Sequence, residues 1–294
     1  LNKKFVDVSS YNGAIKWPTA KAKGVEGAII KIIRKDLSRD NQFNNNYRGC
    51  NKNKIPWGVY NYSYATTVEK AKSDMKLVCD ILDKIDKEYF QYGVWFDIED
   101  KIQASLSKSK IAEIINAAQK VVEDRGYKFG VYTGMSYYAE HMDASKINCK
   151  NWWIARYYKG YDTMKISTTP NASYKPSKPS GIFAWQYTSS GVITSGVSTG
   201  NKGHFDLNII YKEMKSKKTT STNVVSGTST SYYKKYTGTS KKIDVVFKAI
   251  GAPNGSVSKR KLLAAKNGIS NYTGTETQNL KLIALAKEGK LKKV

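Results

Sequence analysis

From Phe5 to about residue 142, short apolar segments alternate with stretches whose apolar residues recur every three to four positions. Five segments read as strands from their β-branched and aromatic content: Phe5 to Ser9, Gly27 to Ile33, Trp57 to Tyr62, Val94 to Ile98, and Phe129 to Tyr132. The nearly continuous apolar run around Ile29 is the mark of a sheet covered on both faces. Between these segments lie helical patterns. Trp17-Pro18 places proline at a helix start, and Phe43 to Asn53 forms a second helix. Val68, Ala71, Met75, Val78, Leu82 and Ile85 make one apolar stripe. Ile111, Ile114, Ile115, Ala118, Val121 and Val122 make another, closed by Gly126. Strand–helix alternation of this kind predicts parallel strands joined by right-handed helical crossovers.

After residue 142 the helical patterns stop while strands continue, at Trp152 to Ala155, Ile182 to Gln186, and a last strand through Phe205-Asp206. The expectation is an α/β chain built on an irregular TIM-like β/α barrel: five β/α units, then strands without helices. No Gly-rich phosphate loop supports a nucleotide site.

Composition changes near Lys215. Residues 217–231 are almost wholly Lys, Ser, Thr, Asn, Val and Gly, the composition of a linker. The expected organisation is a barrel over 1–214, a linker over 215–231 and a small basic helical domain over 232–294. From Lys215 onward there are 17 basic and three acidic residues, so this part carries +14 of the total +25. Its helical faces are read as Ile243, Val246, Phe247 and Ile250; Leu262, Leu263 and Ala265; and Leu280, Ile283, Leu285 and Leu291. Ser240, Ser258 and Thr275 are placed to cap them. A field of this sign attracts polyanions such as nucleic acid, anionic membrane or an anionic cell wall. The three cysteines form no CxxC pair and the two histidines are few for a zinc hydrolase site, so no metal is assigned. No apolar leader precedes the first strand and no run approaches 18 apolar residues.

The strand Val94 to Asp100 ends in three carboxylates. Asp97 and Glu99, two apart, share a strand face. Like charges that close, beside apolar neighbours, raise at least one pKa and so separate an acid from a base. In a β/α barrel, functional side chains collect at the C-terminal rim of the strands. Asp7 closes the first strand and Asp206 is read as closing the last, which brings four carboxylates to one rim. Each singly has a structural alternative as a loop acid or, for Asp206, a helix cap. Tyr60, Tyr62, Tyr132, Trp153, Tyr157, Trp185 and Tyr187 fall at or near strand ends, where aromatic faces pack on sugars. Four carboxylates without histidine suit glycosidic cleavage; a magnesium or calcium site is the chemical rival.

Asp7-Val8-Ser9 with Gly13, Phe96-Asp97-Ile98-Glu99, Trp153-Ile154-Ala155, Trp185-Gln186-Tyr187 and Phe205-Asp206-Leu207-Asn208 occur in that order. Together they resemble the glycoside hydrolase family 25 lysozymes over residues 3–214. The resemblance implies cleavage of the β-1,4 bond between N-acetylmuramic acid and N-acetylglucosamine in peptidoglycan, without a cofactor. It makes Glu99 the proton donor and Asp97 its partner, acting as nucleophile or orienting the substrate acetamido group. Asp7 and Asp206 become the outer acidic pair, and Gln186 joins the aromatic residues as a substrate contact. Tyr11 stands where the family often has Trp, and Tyr60-Asn61-Tyr62 where Tyr-His-Phe is frequent. Lys266 to Thr275 with Gln278-Asn279 is similar to a module of clostridial wall-lytic amidases, which implies binding to anionic wall polymers; nucleic acid binding would be out of place beside a glycosidase. Such a protein is expected to act on the cell wall, by holin-dependent release if phage-encoded or by secretion if a signal has been trimmed. The other readings are a chitinase-type glycosidase, against which Trp95 and Phe96 stand where a longer acidic series is usual, and a non-catalytic glycan-binding protein.

Overall fold

The computed structural model describes residues 2–214, 232–252 and 257–293, which fall into two compact units on either side of residue 215–231. The expected linker, and the side chain of Ser258, lie outside the described residues.

The first unit is a closed barrel of eight strands in sequence order. The strands are β1 Lys3–Val8, β2 Ala28–Lys31, β3 Trp57–Tyr62, β4 Phe90–Asp97, β5 Phe129–Gly134, β6 Trp152–Ala155, β7 Ala184–Val192 and β8 His204–Ile210. Helices follow the first five: α1 Trp17–Ala22, α2 Phe43–Lys52, α3 Val68–Leu82, α4 Lys108–Asp124 and α5 Met135–His141. After β6 and β7 the described chain makes only short 3-10 turns between strands. The two longest helices begin as their sequences require. Thr67 and Ser107 each accept a backbone N–H from the first turn, of Lys70 and Lys110, satisfying a donor that the helix itself leaves unpaired. Their stripes, Ala71, Met75, Val78, Cys79 and Leu82 on α3 and Ile111, Ile114, Ile115, Ala118 and Val122 on α4, are buried against the outside of the sheet. Gly126, at φ +79°, turns the chain out of α4.

Strands β1 to β7 are parallel, but β8 runs antiparallel to both β7 and β1. This corrects the reading of Asp206. It is the third residue of β8 and does not end it; Leu207 to Ile210 continue the strand. Because the strand is reversed, its beginning lies where the parallel strands end, and Asp206 is paired with Asp7.

Side chains alternate across each strand, so every second residue enters the barrel. Phe5, Ile29, Trp95, Tyr132, Trp153 and Ala184 fill the interior, with Tyr60 against them. The Trp95 and Trp153 rings meet edge to face, with centroids 5.7 Å apart. Gly130 makes this possible: a Cβ there would lie 2.3 Å from the Trp95 ring. The layer above this aromatic plug is the rim that carries the carboxylates.

The second unit contains α6 Ile243–Ile250, α7 Val257–Lys266 and α8 Glu276–Glu288. Ile243, Val246, Phe247 and Ile250 are buried as expected. The other two faces differ from the expectation. Leu263 and Ala264, with Leu282, Ile283 and Ala286, enter the core, while Leu262 and Leu280 are exposed. Thr275 caps α8 in a reciprocal box with Gln278. Ser240 is not a helix cap; its hydroxyl accepts the Lys242 N–H in the turn before α6, which starts from Lys242.

Candidate active site

β1, β4 and β8 bring Asp7, Asp97 and Asp206 to one rim, and the loop after β4 adds Glu99. Asp97 is the last residue of β4; the chain leaves the sheet there, so Glu99 is placed by the loop rather than by strand alternation. Its Oε2 accepts the Gly134 backbone N–H at 3.0 Å, at the end of β5. Asp100, the third carboxylate of this stretch, also lies in the loop and accepts the Tyr62 hydroxyl at 3.1 Å.

Burial governs the protonation of this group. Asp97 is only 4 % exposed, and its Oδ1 has no hydrogen-bond partner among the described residues. Burial, then the nearby Glu99 charge, push its carboxyl well above the usual range, and the Lys31 ammonium opposes them. Glu99 is also raised, chiefly by burial, with the Gly134 N–H partly offsetting that effect. Asp206 is pushed well above its ordinary value by burial and by the charge and hydrogen bond of Asp7. Asp7 is raised from 3.8 to about 6 by burial, against hydrogen bonds from Gln186, Asn208 and Asp206. Such perturbed carboxyls, grouped together, hold protons at pH values where solvated acids have lost theirs.

Gln186 lies beneath the rim, its Nε2 donating to Asp7 Oδ1 at 2.9 Å. Its Oε1 accepts the hydroxyls of Tyr132, at 2.8 Å, and Tyr157, at 2.6 Å. Tyr157 is otherwise exposed, and Tyr60 and Tyr62 are half-buried under Lys31, whose Nζ lies 5.9 and 5.7 Å from their ring centres. Tyr11, on the turn after β1, is 80 % exposed. Three aromatic residues expected to face sugar are instead packed away. Trp153 is inside the barrel, its indole N–H bonded to Asn208. Trp185 and Tyr187 are on the outer face of β7, against Tyr161, and the Trp185 N–H meets the Arg156 carbonyl. Sequence reasoning gave no role to Asn208, whose Nδ2 donates to Asp7 Oδ1 at 2.7 Å, or to Lys31. Lys31 is the last residue of β2, a lone cation two residues beyond the inward-facing Ile29, and that position was its available signal.

Among the described residues no group of three or more His, Cys, Asp and Glu is disposed to hold a metal ion. A separate cavity of about 420 Å³, lined by Lys3, Tyr92, Gly93, Lys128, Ile210 and Met214 among others, opens at the opposite end of the barrel and contains none of the four carboxylates.

A closed β/α barrel with buried carboxylates gathered at the strand-end rim is the architecture of a barrel glycoside hydrolase. Residues 6–196 match the profile of the glycosyl hydrolases family 25, and the chain belongs to that family. No curated protein sequence matches it. Among solved structures it is similar to the CTP1L endolysin, with 24% identity and a TM-score of 0.54 over 71% of this chain and 66% of that one. It is equally similar, with 24% identity and TM-score 0.54, to the modular autolysin LytC from Streptococcus pneumoniae in complex with a synthetic peptidoglycan ligand, over 71% of this chain and 46% of that one. The catalytic domain of endolysin ply40, from bacteriophage P40 of Listeria monocytogenes, shares 19% identity at TM-score 0.54 over 72% of this chain and 94% of that domain. The chain thus spans less than two thirds of the first two proteins, and the likeness to all three is one of fold.

Proposed function

We propose that the protein is a lysozyme that cleaves the β-1,4 bond between N-acetylmuramic acid and N-acetylglucosamine in bacterial peptidoglycan. One observation carries this reading. Four carboxyl groups from β1, β4, β8 and the loop after β4 meet at the rim, each held above its ordinary protonation range by burial. Family membership and the likeness to endolysins and to an autolysin in complex with a synthetic peptidoglycan ligand support the substrate class.

Glu99, the more accessible of the central pair, gives its proton to the glycosidic oxygen as the C–O bond breaks. Asp97 acts in its ionised form, which the Lys31 ammonium favours, and faces the positive charge that develops at the sugar carbon, capturing it directly or orienting the acetamido oxygen to do so. Water then attacks the sugar carbon and returns a proton to Glu99. Asp7 and Asp206 close the other side of the site. Tyr11, Tyr62 and Tyr157 present the aromatic surface over which the glycan lies, with Tyr60, Tyr132 and Gln186 supporting it. No step calls for a cofactor.

The domain organisation is part of the proposal: a catalytic barrel over 1–214, a linker over 215–231 and a basic wall-binding domain over 232–294 that draws the enzyme to anionic wall polymers. The site of action is the cell wall; among the described residues no helix is long and apolar enough to cross a membrane. Glu99→Gln tests the assignment. The variant is expected to fold as the parent does and to lose wall lysis by at least a hundredfold, the usual contribution of a general acid. Near-parental lysis by Glu99→Gln would sink it.

A further inference from the structure

The Trp153 indole sets the direction of the hydrogen bonds beneath the rim at Asn208. An indole N–H donates and cannot accept. Trp153 Nε1 lies 2.8 Å from Asn208 Oδ1, which fixes which end of the Asn208 amide faces the tryptophan. The other end, Nδ2, therefore faces Asp7 Oδ1 at 2.7 Å. Gln186 repeats the arrangement from the neighbouring strand. Its Oε1 accepts the Tyr132 and Tyr157 hydroxyls, and its Nε2 donates to the same Asp7 Oδ1 at 2.9 Å. Asp7 Oδ1 thus receives two N–H donors and serves only as an acceptor. Asp206 sits directly across the β1–β8 pair, and the two carboxyl groups are hydrogen-bonded to one another. Two carboxyls joined in this way hold a proton between them, because neither oxygen of an ionised pair can donate.

We propose that Trp153, Asn208 and Gln186 form an oriented relay that keeps Asp7 the ionised member and Asp206 the protonated member of this pair. The relay residues are positioning residues: they act through Asp7. This inference rests on the reading of the rim as the active site only for its catalytic consequence. With the relay intact, the outer pair presents a single negative charge, fixed on Asp7, instead of two mutually repelling charges beside Asp97 and Glu99. The other charged and titratable groups facing the pair are Lys31 on β2, Tyr60 on β3, Asp97 and Glu99 from β4, Tyr132 on β5 and Tyr157 after β6. Asp40 lies beyond β2 and accepts the Ser10 N–H. His204, two residues before Asp206, turns its Nδ1 to the Ser190 carbonyl.

The test is a pH titration of the full chain labelled with ¹³Cγ-aspartate, followed by NMR, for the parent, Asn208→Leu and Gln186→Leu. The parent is expected to show one coupled aspartate pair, with its first midpoint near 6 and the second carboxyl still protonated well above the ordinary range. Removing one N–H donor to a carboxylate should make Asp7 roughly tenfold more reluctant to ionise, moving that midpoint up by about one pH unit. For Asn208→Leu, which removes no group assigned to the glycan surface, the acid limb of kcat for wall hydrolysis should move with it while KM stays in place. Trp153→Phe, which removes the indole N–H and keeps an aromatic ring, should move the midpoint in the same direction by less; it serves where the leucine variants do not fold. An unmoved midpoint in a folded relay variant overturns the proposal, as does a parent in which both members are ionised at neutral pH. If the parent shows the coupled pair but releases nothing from walls, the active-site reading falls and the relay stands.

Discussion

Asp7→Asn separates what the rim does from what it costs the fold. Asp7 is buried and holds its proton up to about pH 6, against 3.8 for a solvated aspartate. The sign follows from linkage: the folded state binds this proton more tightly than the unfolded state does. Stability from this group is therefore fully present below pH 3.8, declines between 3.8 and about 6, and is lost above that. The difference is about two decades of proton affinity, or about 3 kcal/mol at ~1.36 kcal/mol per decade, an upper figure because Asp206 shares the proton. Asparagine is nearly isosteric. Its oxygen can accept the Gln186 and Asn208 N–H groups, and its own N–H₂ can donate to Asp206, so the network stays satisfied without the buried charge. Asp7→Asn is thus expected to stabilise the protein by up to about 3 kcal/mol at pH 7.5 and by close to nothing at pH 3.5, while wall lysis drops. Urea unfolding of the parent and the variant at the two pH values measures this directly. A variant less stable than the parent at pH 7.5, or equally stabilised at both pH values, would refute the reasoning.

Two further outcomes follow from the packing and the charge. Gly130→Ala drives a methyl group into the Trp95 ring, which is walled in by Trp153 and Phe183, and should destabilise the barrel by about 1–3 kcal/mol, read as a lower urea midpoint. Retention of the full chain on purified walls should fall as salt rises from about 0.05 to about 0.5 M, where the screening length shrinks from roughly 14 to roughly 4 Å. Replacing the exposed Lys248, Lys261, Lys266 and Lys281 with Gln should flatten that dependence, and a salt-insensitive parent would remove the electrostatic part of the targeting proposal.

The strands and helices of the barrel were legible because their signals are local. The β-branched and aromatic strand segments, the period-3.6 stripes of α3 and α4 and the loss of helical stripes after residue 142 all reappear in the fold. The direction of β8 was not legible. Nothing in His204 to Ile210 reports whether it pairs parallel or antiparallel; that follows from barrel closure between β7 and β1. Asp206 still reached the right rim, for a different reason from the one its sequence position indicated. The tryptophans show the same limit. Strand propensity marks Trp153 and Trp185 as strand residues, but which face turns inward depends on the whole barrel, and both faces here are buried. In the second unit, Leu262 and Leu263 differ by one helical step, and only the partner helices decide which enters the core. Asn208 was visible in a motif but silent as to role, because its meaning comes from Trp153, 55 residues earlier in the chain.

On the proposed function, this rim cleaves the glycan of the wall at muramic acid. Digesting purified peptidoglycan with the parent, reducing the products with borohydride and identifying the modified sugar tests it most directly. Muramitol is expected, formed by the parent and absent with Glu99→Gln. Glucosaminitol, new peptide ends without any reduced sugar, or intact walls would contradict it.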